Sequence, residues 1–195
     1  MKYHEIFIIG FLLVLSIIYT KNKLSDLHYI TSTLDNKEYL VRKMDDNIEA
    51  ANLLAKISRN MAKLCNYLET KYSDNEGVMR LKERFDPMSI VENEKGNKNT
   101  SFTINKGDKI VLCLRSRDDD TEQLHDENTL MFVALHELSH IMTITLHHKQ
   151  EFWDNFRFVL KNAIDVDIYR YVDYNTSPQK YCGIMITDTP LVKGS

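Results

Sequence analysis

The sequence predicts an α+β chain, and three observations carry the prediction. Leu40, Met44, Ile48, Ala51, Leu54, Ile57, Met61, Leu64 and Leu68 recur at the spacing of one long amphipathic helix. Residues 101–105 and 109–115 alternate or run apolar on either side of Lys106-Gly107-Asp108, which is a β-hairpin signal. Val133 to Met142 is an apolar run interrupted only by His136, Glu137, Ser139 and His140, as expected of a helix buried on most of its surface. A small sheet packed on that helix, with the long helix alongside, is the arrangement these elements imply.

At the N-terminus, residues 6–19 are apolar apart from Gly10 and Ser16. Counted from Tyr3 to Thr20 they make a helix of about 27 Å, which predicts a transmembrane anchor over residues 1–20 that contacts the bilayer through residues 3–20. No small-residue cleavage site follows, so a single-pass membrane protein is expected rather than one with a removed signal peptide. Lys2 and the α-amino group balance Lys21 and Lys23, leaving orientation open. Residues 21–34 read as a linker and residues 35–195 as one domain, long enough to bury a real core. Cys65, Cys113 and Cys182 are odd in number, lack metal-binding spacing and read as free thiols, which favours the cytosolic side. Asn99-Thr-Ser101 and Asn175-Thr-Ser177 are glycosylation acceptor patterns that would matter only on a lumenal face. A net charge of −3 with no basic cluster argues against direct nucleic-acid binding.

Within the domain, Asp35-Asn-Lys-Glu38 is a capping-box pattern that would start the long helix. Polar stretches at 73–77 and 92–99 enclose a short segment over 78–90. Arg117-Asp-Asp-Asp120 and the polar run to Asn128 read as a loop; its aspartates could hold calcium, although such runs are more often solvated. Asp126 or Asn128 would cap the next helix from about Thr129. Beyond it, Phe152, Phe156, Val159, Leu160 and Ala163 fall on one face of a further helix, with Trp153 read as a core residue.

His136-Glu137-Leu-Ser-His140 has the HExxH spacing. On a helix the two histidines stand one turn apart on one face, so their imidazoles can converge on a single Zn²⁺ while Glu137 reaches an activated water. An uncharged setting strengthens the reading, because buried histidines and a buried glutamate are costly unless paired or metal-bound. A catalytic zinc takes three protein ligands, so one more must come from outside this turn. His148 would lie about 12 Å further along an unbroken helix, so the helix must end first. β-Branched Thr143, Ile144 and Thr145 weaken it there, and His147 tolerates the left-handed conformation of a tight reversal. These arguments put His148 ahead of His147 as third ligand, with Glu151, Asp154 and Asp165 behind.

The stretch HELSHIMTITLHHKQEFW resembles WLM and SprT-like zinc metallopeptidases, and most closely the small zincin-like proteins of large DNA viruses. The resemblance extends to residues 100–107 and 110–115 upstream and to residues 181–186 downstream. In WLM proteins three residues and then Phe-Trp follow the third histidine, which matches His148-Lys-Gln-Glu-Phe152-Trp153 and selects His148; the gap before it is two residues longer here. The resemblance implies a zincin-like fold, a zinc-dependent peptidase acting on a peptide or protein, and a substrate-binding edge strand in the hairpin carrying Phe102 and Ile104. A peptide would add to such an edge as a further strand. Tyr181 has the phenol needed to stabilise an oxyanion, and Met185 could underlie the metal. The competing expectation is a non-catalytic interaction or virion protein with a structural zinc site, which would have no need of Glu137.

Overall fold

Three helices and a three-stranded sheet surround the run that the sequence marks as most buried. The computed structural model describes residues 3–24, 26–117 and 121–191. In chain order it has α1 (Tyr3–Leu24), β1 (Leu27–Thr31), β2 (Glu38–Arg42), α2 (Asn47–Lys71), α3 (Glu76–Arg84), a 3-10 turn at Pro87–Ser89, β3 (Ile90–Glu92), β4 (Phe102–Ile104), β5 (Lys109–Leu112), α4 (Glu127–Met142), α5 (Gln150–Asp165), β6 (Gln179–Tyr181) and β7 (Ile184–Ile186). Strand order in the central sheet is β3-β5-β4, with β3 parallel and β4 antiparallel to β5. This is the mixed α/β architecture expected, with α2, α3, α5 and the sheet packed about α4.

Each element bears on how α4 is buried. From Ala51 to Leu68 the expected stripe is the buried face of α2, while Ile48 is exposed. The start of that helix differs from expectation. Residues 38–42 form a strand that turns Tyr39 and Val41 inward and pairs with β1, and α2 begins only at Asn47. Asp35 caps a turn instead of a helix: its carboxylate accepts the Lys37 N–H at 3.2 Å and the Tyr39 hydroxyl at 2.8 Å, and Asn36 is left-handed at φ 58°. The capping-box pattern is the same in both cases, because a side-chain acceptor two or three residues upstream serves a turn as well as a helix. Part of the stretch read as linker is therefore strand β1.

The hairpin forms as expected, with Phe102 opposite Val111, Thr103 opposite Ile110 and Ile104 opposite Lys109. Its turn runs through Asn105, Lys106 and Gly107, all at positive φ. At Gly107, φ is +133° and an added Cβ would meet the Arg84 carbonyl oxygen at 2.7 Å, so both the turn and the close approach of α3 require glycine there.

Two expectations are corrected. No helix among the described residues is long and apolar enough to cross a membrane, which overturns the single-pass anchor. The uninterrupted apolar part of α1, residues 6–19, advances only about 21 Å against about 30 Å of hydrocarbon. Its ends bring in His4, Glu5, Lys21 and Lys23. The second correction concerns the thiols. Cys113 and Cys182 form a disulfide with Cα atoms 6.4 Å apart, and Cys65 alone is free. The partners are 69 residues apart in sequence, on the end of β5 and in the tight turn between β6 and β7, so the cytosolic argument from three free thiols loses its basis. The aspartate run at 118–120, read as a possible calcium site, lies outside the described residues.

Gly107→Ala should lower stability by about 1–3 kcal/mol through the left-handed backbone and the clash with Arg84. A lower urea midpoint with an unchanged slope in denaturation of the variant would show it.

Candidate metal centre

Asp126 starts α4 by accepting the Thr129 N–H at 3.0 Å, and Thr143 ends it by returning its hydroxyl to Ser139 O at 2.8 Å. His136 and His140 lie one turn apart on the side of this helix that faces α5. The chain then reverses through residues 143–149 with His147 left-handed at φ 65° and exposed. This returns His148, whose Nε2 stands 3.1 Å from His136 Nε2 and 3.2 Å from His140 Nε2.

Three imidazole nitrogens held tetrahedrally at zinc-ligand distance would stand about 3.4 Å apart. The cluster is within a few tenths of that, and its three ligand atoms could hold one metal ion. Burial drives the pKa of His136 down to about 3 and that of His140 down to about 4, with the neighbouring histidines adding to the shift. His148 is lowered as well, by burial and by His147. Neutral imidazoles present the lone pairs that a metal needs. The other ligand candidates do other work. Glu151 accepts the Ile144 and Thr145 N–H groups, Asp154 faces Gln150 and Arg157, and Asp165 is exposed near Lys71.

The reversal is held from three sides. Besides Glu151, whose pKa is lowered chiefly by the Ile144 N–H, Lys106 Nζ donates to the Thr143 and Ile144 carbonyls from the hairpin turn. Trp153 Nε1 donates to His148 O at 3.1 Å. Phe152, fully buried, packs against all three imidazoles at centroid distances of 4.8, 4.4 and 4.6 Å for His136, His140 and His148. Trp153, read as core, is 37% exposed and serves instead as a clamp on the ligand loop. The sequence signal for both roles was the Phe-Trp pair, but only the fold shows which ring is the floor and which the clamp.

Glu137 is buried beside the cluster. Thr103 donates to its Oε2 at 2.9 Å and to its backbone carbonyl at 3.2 Å. Burial pushes the carboxyl up to about 7, against the Thr103 bond, which lowers it. Thr103 was missed from sequence because a threonine in a strand carries no sign of what lies across from it. A cleft of ≈ 290 Å³ opens onto the cluster, walled by Ser101, Phe102, Thr103 and Lys106 on one side and Thr145 to His148 on the other. Among the described residues β4 pairs only through β5, so its other edge is free, and Phe102 borders the cleft while Ile104 does not. Tyr181 is buried, and its hydroxyl meets Ser101 Oγ at 2.6 Å, so it reaches the cleft wall only through that serine. Met185 is exposed on β7.

Fold and site together define a class: a small mixed α/β protein whose three convergent histidines and buried carboxylate come from an HExxH helix and the chain just beyond it. The WLM domain model matches residues 38–183, and the chain belongs to the WLM family. An uncharacterized protein of Acanthamoeba polyphaga mimivirus is 37% identical over 178 residues, covering 89% of each chain. One from Invertebrate iridescent virus 6 is 32% identical over 93 residues, covering 48% of this chain and 51% of its own. Among solved structures, Wss1 from Saccharomyces cerevisiae, in a mutant form, aligns with a TM-score of 0.49 at 20% identity, covering 65% of this chain and 87% of its own.

Trp153→Phe keeps an aromatic ring but loses the donor to His148 O. It should weaken metal binding by about 10- to 100-fold while leaving the fold intact, measured by competition with a chromogenic chelator alongside circular dichroism.

Proposed function

We propose that this chain is a zinc-dependent peptidase, with His136, His140 and His148 as the metal ligands and Glu137 as general base. The observation that carries the reading is the convergence of the three Nε2 atoms, 3.1 and 3.2 Å from His148, beside a buried carboxylate. Zinc bound there would supply a Lewis acid for the scissile carbonyl and lower the pKa of a water. Everything else is done by the chain. Glu137 Oε2, fixed by the Thr103 hydroxyl, takes a proton from the attacking water and passes it to the leaving amine.

An extended peptide would add to the free edge of β4, with a side chain against Phe102 and its reacting carbonyl in front of the histidines. The oxyanion donor first read onto Tyr181 passes, on this reading, to the Ser101 hydroxyl. Tyr181 and the Cys113 N–H, 2.9 Å from Ser101 Oγ, hold that hydroxyl at the cleft wall. A purely structural metal site, as in the non-catalytic alternative, would give no role to a desolvated carboxylate held by a dedicated hydrogen bond.

The ligand assignment predicts close to one zinc per chain by plasma emission spectroscopy. His148→Ala should lose most of it, whereas His147→Ala should keep it; the reverse ranking would refute the assignment.

Glu137→Gln keeps size and reach but cannot accept a proton. Zinc content should persist while hydrolysis of a diverse peptide pool falls at least about a hundredfold. A parent protein loaded with zinc that cleaves nothing in such a pool would leave the non-catalytic alternative standing.

A further inference from the structure

Ile104, Ile144, Leu146 and Trp153 are large apolar side chains exposed on the elements that carry the metal centre. Of these four only Leu146 lines the cleft that opens onto the histidines, and it is the most exposed, at 67%. It belongs to the reversal between α4 and α5, which forms the wall facing β4. The backbone on both sides of it is pinned. Before it, Glu151 accepts the Ile144 and Thr145 N–H groups at 2.9 and 3.1 Å, and Lys106 Nζ donates to the Thr143 and Ile144 carbonyls. After it, the Lys149 N–H bonds to His147 O and Trp153 Nε1 to His148 O, both at 3.1 Å. A leucine side chain is therefore held in water at the mouth of the cleft by bonds that keep its segment from folding back.

The polar side chains of the walls are largely committed. Ser101 Oγ is bonded to the Tyr181 hydroxyl and the Cys113 N–H, and Thr103 donates to Glu137. Lys106 already gives two of its three ammonium hydrogens to backbone carbonyls. Among the described lining residues Glu137 is the only carboxylate, and it is buried, so a basic side chain of a bound peptide finds no free partner. An acidic side chain finds no lysine or arginine there besides Lys106. What the cleft leaves available is apolar surface, from Leu146 on one wall and half-buried Phe102 on the other. Apolar surface exposed at a concave site gains by being covered with another apolar group, whereas a charged group placed against it loses its hydration.

We propose that Leu146 determines specificity: the cleft selects peptides in which one residue flanking the cleaved bond has a large aliphatic or aromatic side chain, and that side chain packs on Leu146. The inference rests on the peptidase reading and supplies its substrate class. Ile144, at 62% exposed but outside the cleft, takes no part in the selection.

The test gives the zinc-loaded full chain a peptide pool with all residue types equally represented, and reads the cleaved bonds by mass spectrometry. Leucine, isoleucine, methionine or phenylalanine should stand on one fixed side of those bonds at least about tenfold more often than serine, aspartate or lysine. Leu146→Ser should cut the preference below about threefold with zinc content unchanged, Leu146→Met should retain it, and Ile144→Ser should leave it as in the parent. A uniform fall in cleavage by Leu146→Ser, with the preference intact, would mean that the residue only supports the loop and would overturn the proposal. A second measurement needs no turnover. Zinc-loaded Glu137→Gln should bind a fluorescent peptide with a central leucine at least about tenfold more tightly than its serine counterpart, by anisotropy, and adding Leu146→Ser should remove the difference. That binding preference in a protein whose parent cleaves nothing would refute the peptidase reading and leave the selection by Leu146 standing. Cleavage without the preference would do the reverse, and absence of the preference from both measurements would likewise overturn the proposal.

Discussion

The geometry depends on one constraint: three imidazoles must meet at one point although a single helical turn can supply only two. His136 and His140 meet the first part by their spacing alone. The third ring has to come from beyond Met142, and a chain that continued as helix would carry it away. Most of the unusual features around the site answer that requirement. The Thr143 hydroxyl closes the helix, Glu151 binds the two N–H groups that follow, Lys106 takes the two freed carbonyls, and His147 adopts a left-handed backbone. Phe152 and Trp153, at the start of α5, then define where the third ring stops.

Burial gives the cluster its chemistry. The same desolvation that drives His136 and His140 to their neutral forms pushes Glu137 towards protonation. A cation at the centre of the three nitrogens would relieve both, by engaging the lone pairs and by compensating the carboxylate charge. Thr103 ties this carboxylate to β4, the strand whose outer edge is free. The residue that orients the Glu137 carboxylate therefore belongs to the edge strand of the sheet.

A second organising feature is ionic. Glu92 and Arg115 are both almost fully buried and bonded to each other, and they join β3, the β1–β2 hairpin and the segment after β5. Burial raises the pKa of Glu92, and the Arg42 N–H and the two arginines oppose that shift. Such pairs are weak sources of net stability but strongly penalise loss of one partner, so they specify how elements assemble more than how tightly. The Cys113–Cys182 disulfide acts at the neighbouring position by joining the β6–β7 hairpin to the end of β5. Through Tyr181 and Ser101 that hairpin is connected to the wall of the metal-centre cleft.

What the sequence determined by itself was periodic or local. The stripe from Ala51 to Leu68, the Asp126 cap, the hairpin about Gly107, the pairing of His136 with His140 and the α5 face from Phe152 to Ala163 all follow from spacing and turn chemistry. Reading failed where a pattern had two physical solutions. Asp35-Asn-Lys-Glu38 serves a turn as well as a helix, and the apolar run of α1 looked long enough only when its polar ends were counted. Tertiary structure alone decided the rest: the return of His148, the Thr103 contact to Glu137, the clamp by Trp153, and the Cys113–Cys182 and Arg115–Glu92 pairs. The physical reason is that each of these contacts is set by how separate elements pack, and no residue type or spacing along the chain records which side chain will stand opposite it.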